Sequence, residues 1–208
     1  YLAGVLERDQ LRVVFQPKIE LPTGRVCGWE ALSRWSHPVR GTLSPNEFVP
    51  WFEQEGLHVE LVESVVRALG RDLPRSGAED GAGAPSVALN LTPLALDDLA
   101  LPDRLASFVS RMGLDPTVLT IEVTETAAMR EPRKAADILA RLRLKGFKLA
   151  LDDFGAGHSS LAWLHRFPVS ELKIDQAFMR DLIEDSDAQA IVSSIVRLGH
   201  ELGVVVCA

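Results

Sequence analysis

Short apolar or alternating runs bounded by turn residues recur at Leu11 to Ile19, Val26 to Ser33, Ser86 to Leu91, Leu119 to Val123, Phe147 to Asp152, Glu171 to Ile174 and Gly203 to Cys207. Runs of this length and spacing predict strands. Between most of them lie segments with helical spacing of apolar positions: Pro45 to Glu55, Val59 to Leu73, Arg104 to Met112, Pro132 to Lys145 and Ala188 to Leu202. Alternating strands and helices predict a parallel sheet with helices outside it. The first two strands break that rule, because Leu21-Pro22-Thr23-Gly24-Arg25 between them is hairpin length and too short for a parallel crossover. The first strand is therefore expected to run antiparallel to the second. Ser76 to Pro85, rich in Gly and Ala, reads as a mobile surface loop, and one domain is the economical organisation.

Side chains alternate along a strand, so parity assigns faces. Trp29 and Ala31, Val87, Leu89 and Leu91, Ile121 and Val123, Leu149 and Leu151, and Leu172 with Ile174 form an apolar set that should face the helices. The opposite parity carries Gly28 and Glu30, Ser86, Ala88 and Asn90, Thr120 and Glu122, Lys148, Ala150 and Asp152, and Glu171, Lys173 and Asp175. An open doubly wound sheet is covered on both sides and would be apolar on both parities. One apolar parity and one that turns polar towards the C-terminal strand ends predict a barrel interior with its site at the top.

Composition agrees with a globular chain and narrows its partners. Of 208 residues, 47% are hydrophobic and 25% charged, the ordinary mix of a folded domain. The formal net charge of −7 argues against a non-specific binder of nucleic-acid polymers, whose affinity comes from Lys and Arg. A small phosphorylated ligand remains compatible if cations are concentrated locally. Cys27 and Cys207 offer neither a disulfide framework nor metal-ligand spacing, and they read as two reduced core residues of a cytoplasmic protein. No run approaches the ~20 apolar residues of a membrane span, so no membrane contact is expected. The start at Tyr1, without Met or signal pattern, reads as a piece of a longer polypeptide.

The polar parity carries the candidate chemistry. Glu30, Asn90, Glu122 and Asp152 fall near the C-terminal ends of four separate strands, with Asp153 next in sequence. Carboxylates converging in a barrel mouth repel one another unless a cation compensates. Oxygen-only donors, including one amide carbonyl, suit Mg²⁺ or Mn²⁺ better than zinc. The chain turns at Phe154-Gly155-Ala156-Gly157, so Asp152 and Asp153 can reach one centre and share two ions at the ~3.5–4 Å spacing of two-metal hydrolases. Lys173, on the same parity, either pairs with the carboxylates or holds the attacking water. Arg34 is either solvated or clamps a phosphate. His37, His58, His158, His165 and His200 lack ligand spacing and read as surface or capping residues, and the four tryptophans read mainly as packing.

Glu30-Ala31-Leu32-Ser33-Arg34-Trp35, followed by His37-Pro38 and Gly41, resembles the signature of EAL domains, the bacterial cyclic di-GMP phosphodiesterases. Phe15-Gln16-Pro17, Pro45 with Phe48-Val49-Pro50, Asn90-Leu91-Thr92, Glu122-Val123-Thr124-Glu125-Thr126, Asp152-Asp153-Phe154-Gly155-Ala156-Gly157 with Ser159-Ser160-Leu161, and Leu172-Lys173-Ile174-Asp175 match in order and spacing. The resemblance covers essentially the whole chain. It implies an α/β fold, a modified (β/α)8 TIM-type barrel whose first strand is antiparallel. It further implies that Glu30, Asn90, Glu122 and Asp152 bind a first Mg²⁺ or Mn²⁺ and that Asp152 with Asp153 holds a second. Lys173 would position the water, Arg34 would bind a substrate phosphate, and Gln16 and Leu32 would line the nucleotide pocket. Glu125 would fix the loop that presents Asp153. The implied reaction is in-line attack of water on one phosphodiester bond of cyclic di-GMP, giving linear pGpG.

Members of the family continue beyond the point matched by Val206-Cys207-Ala208 with a glutamate motif, a substrate-contacting glutamine and a further strand. Residues 1–208 are therefore expected to be an EAL domain lacking its C-terminal strand and helix, and the enzymatic reading is conditional on that segment. Family members often follow sensor or cyclase domains and form homodimers. A catalytically inactive EAL domain acting as a cyclic di-GMP receptor or regulatory module is the alternative reading. An enolase-like barrel with a Lys base fits the carboxylates but not the ordered motifs.

Overall fold

The computed structural model describes residues 1–7, 10–72, 86–155, 161–180 and 182–208. Residues 76–85, read above as a loop, and His158 lie outside the described residues. Strands β1 (Leu11–Glu20) and β2 (Arg25–His37) form the antiparallel hairpin expected from their short connection. Gly24 closes it with φ 68°, a left-handed conformation that favours glycine, and its amide donates to Glu20 O at 2.8 Å. The three-residue strand β3 (Gly41–Leu43) returns antiparallel along the far end of β2. It follows that β2 runs to His37 and does not stop near Ser33. Its last residues have partners on both sides, Leu11 and Arg12 of β1 and Thr42 and Leu43 of β3.

From β2 the sheet continues in parallel through β4 (Ser86–Asn90), β5 (Leu119–Thr124), β6 (Lys148–Phe154), β7 (Glu171–Ile174) and β8 (Val205–Cys207). The sheet is curled into a half-barrel. Lys18 of β1 contacts Glu171 of β7, yet these strands are five steps apart along the sheet, ~24 Å if it were flat. Among the described residues β1 and β8 do not pair with each other.

The helices are α1 (Leu2–Glu7), α2 (Pro45–Gln54), α3 (His58–Asp72), α4 (Leu101–Arg111), α5 (Glu125–Arg130), α6 (Pro132–Leu144), α7 (Leu161–Leu164), α8 (Gln176–Arg180) and α9 (Ser186–Leu202). Their ends follow local chemistry. Glu47 reaches back to accept from the Ser44 amide ahead of α2, and Asp185 accepts from Asp187 N and Ala188 N at the start of α9. The main core lies between the outer face of the sheet and the helices, and it buries Val87, Leu89, Ile121, Val123, Leu149, Leu151 and Leu172, the parity read as apolar. A second core of Trp35, Phe48, Phe52, Leu43, Val5 and Leu6 packs α1 and α2 against the outer side of β2. No helix among the described residues is long and apolar enough to cross a membrane.

The cysteines are a correction. Both are free, but Cys27 is exposed and Cys207 half-buried, so neither is a core residue. Cys27 lies near the turn end of the hairpin, where Ile19 and Val26 are also exposed. Cys207 lies on the outermost strand of the parallel series.

Candidate active site

Five side chains from five strands meet on the inner face of the sheet. Lys173 Nζ of β7 lies 3.0 Å from Glu30 Oε2 of β2, 2.7 Å from Glu122 Oε2 of β5 and 3.1 Å from Asp152 Oδ2 of β6. Asn90 of β4 joins them by donating from Nδ2 to Glu30 Oε1 at 3.0 Å. The register explains the convergence. Asn90 and Glu122 are aligned neighbours, Thr124 is aligned with Asp152, and side chains two apart on each strand share a face. The depth of the group is graded, from Glu122 with no exposed surface to Asn90, which is open to solvent.

A second cation enters from below. Lys18 of β1 places Nζ 3.1 Å from Glu122 Oε1 and 2.5 Å from Glu171 Oε1. Glu122 is thus held between two ammonium groups, one on each oxygen. Sequence reasoning put Glu171 on the polar parity without a role and passed over Lys18 altogether. The signal was present, because Lys18 shares the parity of Gln16, which pairs with Glu30 across the hairpin.

Electrostatics follow from burial and these contacts. Burial pushes the Glu122 carboxyl up to about 7, aided by Glu30, and outweighs the pull of Lys173 and Lys18. For Glu30 the balance is reversed: burial opposes ionisation, but Lys173 and the Asn90 amide hold its carboxyl below the ordinary range. Burial likewise works against the Lys173 ammonium, yet Glu122, Asp152 and Glu30 raise its pKa above the usual lysine value. Burial raises Asp153, and the negative charges of Asp152 and Asp175 add to the effect.

At the end of β6 the chain turns sharply. Asp153 adopts φ 53°, the sole left-handed non-glycine residue among those described, and its amide donates to Asp152 Oδ1 at 3.0 Å. Its side chain is exposed and lies outside the tight group of Glu30, Glu122 and Asp152. The next turn residue, Gly155, has φ 99° and donates its amide to Glu125 Oε2 at 3.0 Å. Glu125 is almost fully buried at the first position of α5, so its carboxylate ties the end of β6 to the end of β5.

Gln16, Leu32 and Arg34 extend the inner face along the hairpin. Gln16 is the exposed partner of Glu30, Leu32 is half-buried, and Arg34 is half-buried with Nη1 donating to Ser33 O at 2.8 Å. Elsewhere, His37 acts as a turn acceptor, its Nδ1 receiving the amides of Val39 and Arg40 at 3.1 Å each.

The donor set suits a divalent ion. Glu30, Glu122 and Asp152 each offer an oxygen, all within 4.8 Å of one another, and Asn90, joined to Glu30 through Nδ2, brings an amide whose carbonyl is a neutral oxygen donor. All are hard oxygen donors of the kind Mg²⁺ and Mn²⁺ take. Glu122, pushed up to about 7 mainly by its burial, is the carboxyl of this set that must give up a proton before it can serve an ion.

Residues 2–208 match the family described as EAL domain. The chain is 41% identical over 207 residues to the bifunctional diguanylate cyclase/cyclic di-GMP phosphodiesterase MucR of Pseudomonas aeruginosa, covering 100% of this chain and 30% of MucR. It superposes on the PaMucR phosphodiesterase in its c-di-GMP complex with a TM-score of 0.87, covering 99% of this chain and 83% of that one. A manganese and cyclic di-GMP complex of Klebsiella pneumoniae BlrP1 gives a TM-score of 0.79 at 33% identity, covering 95% of this chain and 48% of that chain. Relative to the curated proteins it matches, the chain spans half their length or less.

Proposed function

The chain belongs to the EAL domain family, and from that membership we propose that it hydrolyses one phosphodiester bond of cyclic di-GMP, giving linear pGpG, in a reaction that depends on Mg²⁺ or Mn²⁺. The observation that carries this reading is the meeting of Glu30, Glu122 and Asp152 around the Lys173 ammonium. Glu30, Asn90, Glu122 and Asp152 would hold one ion, and Asp152 with Asp153 would hold a second. Bound there, such ions would supply Lewis acidity for the phosphoryl oxygens and a lower pKa for the attacking water.

The chain's own residues do the rest. Lys173, fixed by three carboxylates, orients the water in line with the bond to be broken. The water oxygen bonds to phosphorus, the bond from phosphorus to the 3′ oxygen breaks, and that oxygen takes a proton. Arg34 turns from Ser33 O to a phosphate, which it can grip bidentately. Gln16 and Leu32, exposed and half-buried on the same face, line the base and sugar. Glu125 holds the turn through Gly155 and so keeps Asp153 presented. The negative substrate thus meets local positive charge although the chain is acidic overall. The reading places the protein in the cytoplasm, with cyclic di-GMP as its ligand.

Incubation of the purified protein with cyclic di-GMP and Mn²⁺ or Mg²⁺, with products separated chromatographically, tests the proposal. It expects pGpG from wild type and none from Glu30→Ala. Binding without turnover by wild type in Mn²⁺ would establish the receptor reading instead.

A further inference from the structure

Lys18 and Glu171 have no part in the chemistry above, yet they form the floor of the same site. Three local features deliver Lys18 there. The register of β1 against β2 shifts between Lys18 and Ile19, and such a bulge re-aims the adjoining side chain. Gly28 stands opposite Lys18 in the hairpin and can carry no side chain, because a Cβ there would lie 2.8 Å from both Ser86 O and Ser86 Oγ. Ala150 lies between Glu122 and Glu171 in the row of aligned residues, and its methyl group leaves the gap that the ammonium spans.

The outcome is directional. Lys18 takes Glu122 Oε1 and leaves Oε2 facing Lys173, while Glu171 anchors Lys18 from its other side. A lysine that merely neutralised buried charge would not need this division of the two oxygens, nor an anchor of its own. A carboxylate held at one oxygen cannot rotate to present both.

We propose that Lys18 is a positioning residue: anchored by Glu171, it holds Oε1 of Glu122 so that Oε2 alone faces the divalent-ion site. The inference rests on the proposed phosphodiesterase reading for its reaction, but its binding consequence does not require turnover. Outer partners of metal-binding carboxylates typically change affinity or activity by ~10–100-fold when removed.

The test titrates Mn²⁺ calorimetrically into purified wild type, Lys18→Met, Lys18→Arg and Glu171→Gln, each checked for folding by circular dichroism, with cyclic di-GMP turnover followed in parallel. Lys18→Met is expected to bind Mn²⁺ ~10-fold more weakly. Lys18→Arg should recover most of the loss, since a guanidinium can hold both carboxylates, and Glu171→Gln should fall between. Turnover numbers should follow the same order, while the KM for cyclic di-GMP changes less than about twofold, the split expected when substrate contacts are untouched. If Lys18→Met fails to fold, Lys18→Arg and Glu171→Gln carry the comparison. Wild-type affinity and turnover in Lys18→Met, or in Glu171→Gln when it stands in, overturn the inference, as does a loss that Lys18→Arg does not restore. Wild type that binds Mn²⁺ without hydrolysing cyclic di-GMP overturns the phosphodiesterase reading and leaves the affinity order to decide this one. Wild type that binds no Mn²⁺ overturns both.

Discussion

The amide of Gly155 donates to Glu125 Oε2 at 3.0 Å, so a carboxylate at the head of α5 holds the turn that leaves β6. Glu125→Ala removes the acceptor and frees the turn that carries Asp153. Mn²⁺ affinity and cyclic di-GMP turnover are expected to fall by ~10–100-fold, with Glu125→Gln closer to wild type because its amide oxygen still accepts. Unchanged affinity and turnover in both variants would mean that the turn stands without this bond.

Lys173→Met takes the shared ammonium from Glu30, Glu122 and Asp152. Breaking one side of a buried ion pair costs ~3–5 kcal/mol, so the metal-free variant should unfold at clearly lower urea concentration than wild type. Mn²⁺ should raise the melting temperature of the variant more than that of wild type, since Glu30 and Asp152 have then lost their shared ammonium and Glu122 keeps only Lys18. Turnover in saturating Mn²⁺ should still fall by ~100-fold or more, the usual cost of losing a donor aimed at the reacting atoms. A variant that is restored in stability but also in turnover would limit Lys173 to charge balance.

Glu122 sets a pH dependence whose sign is fixed by its raised pKa, from an ordinary value of 4.5 to about 7. Between those values the native protein holds a proton that the unfolded chain does not. This group's contribution to metal-free stability is therefore complete below pH ~4.5 and is lost as pH rises through ~7. A metal must displace that proton, so Mn²⁺ affinity should increase with pH and level off above ~7. Calorimetry from pH 5.5 to 8.5 checks the trend; pH-independent affinity would show that Glu122 is ionised throughout.

Trp35 is fully buried and packs edge-on against Phe48, Phe52 and Trp51, with ring centroids 5.8–6.2 Å away. Trp35→Ala is expected to cost ~3–5 kcal/mol in urea denaturation. Because Arg34 is its neighbour on β2, the KM for cyclic di-GMP should rise in parallel. A variant with the predicted loss of stability but an unchanged KM would uncouple the aromatic core from the hairpin's inner face.

Much of the site was legible because a strand has a strict period of two. Glu30, Glu122 and Lys173 sit on positions whose parity alone separates them from Ala31, Val123 and Leu172, and the structure places the two sets on opposite faces. The hairpin was legible from five turn residues. Lys18 carried the right parity but had no visible partner, because Glu171 is distant along the chain and near only through curvature. β3 is too short to show a pattern, and without it the continuation of β2 to His37 had no visible cause. Cys27 was misplaced because apolar neighbours do not show whether a helix covers them.

The left-handed backbone of Asp153 separates shape from charge at that position. Asparagine and glycine adopt such a conformation at little cost, whereas most other residues resist it. A descendant sequence can therefore discard the acid here in a single exchange and inherit the turn unchanged. On the proposed reading, one exchange at this residue separates cleaving cyclic di-GMP from merely holding it, with no refolding along the way.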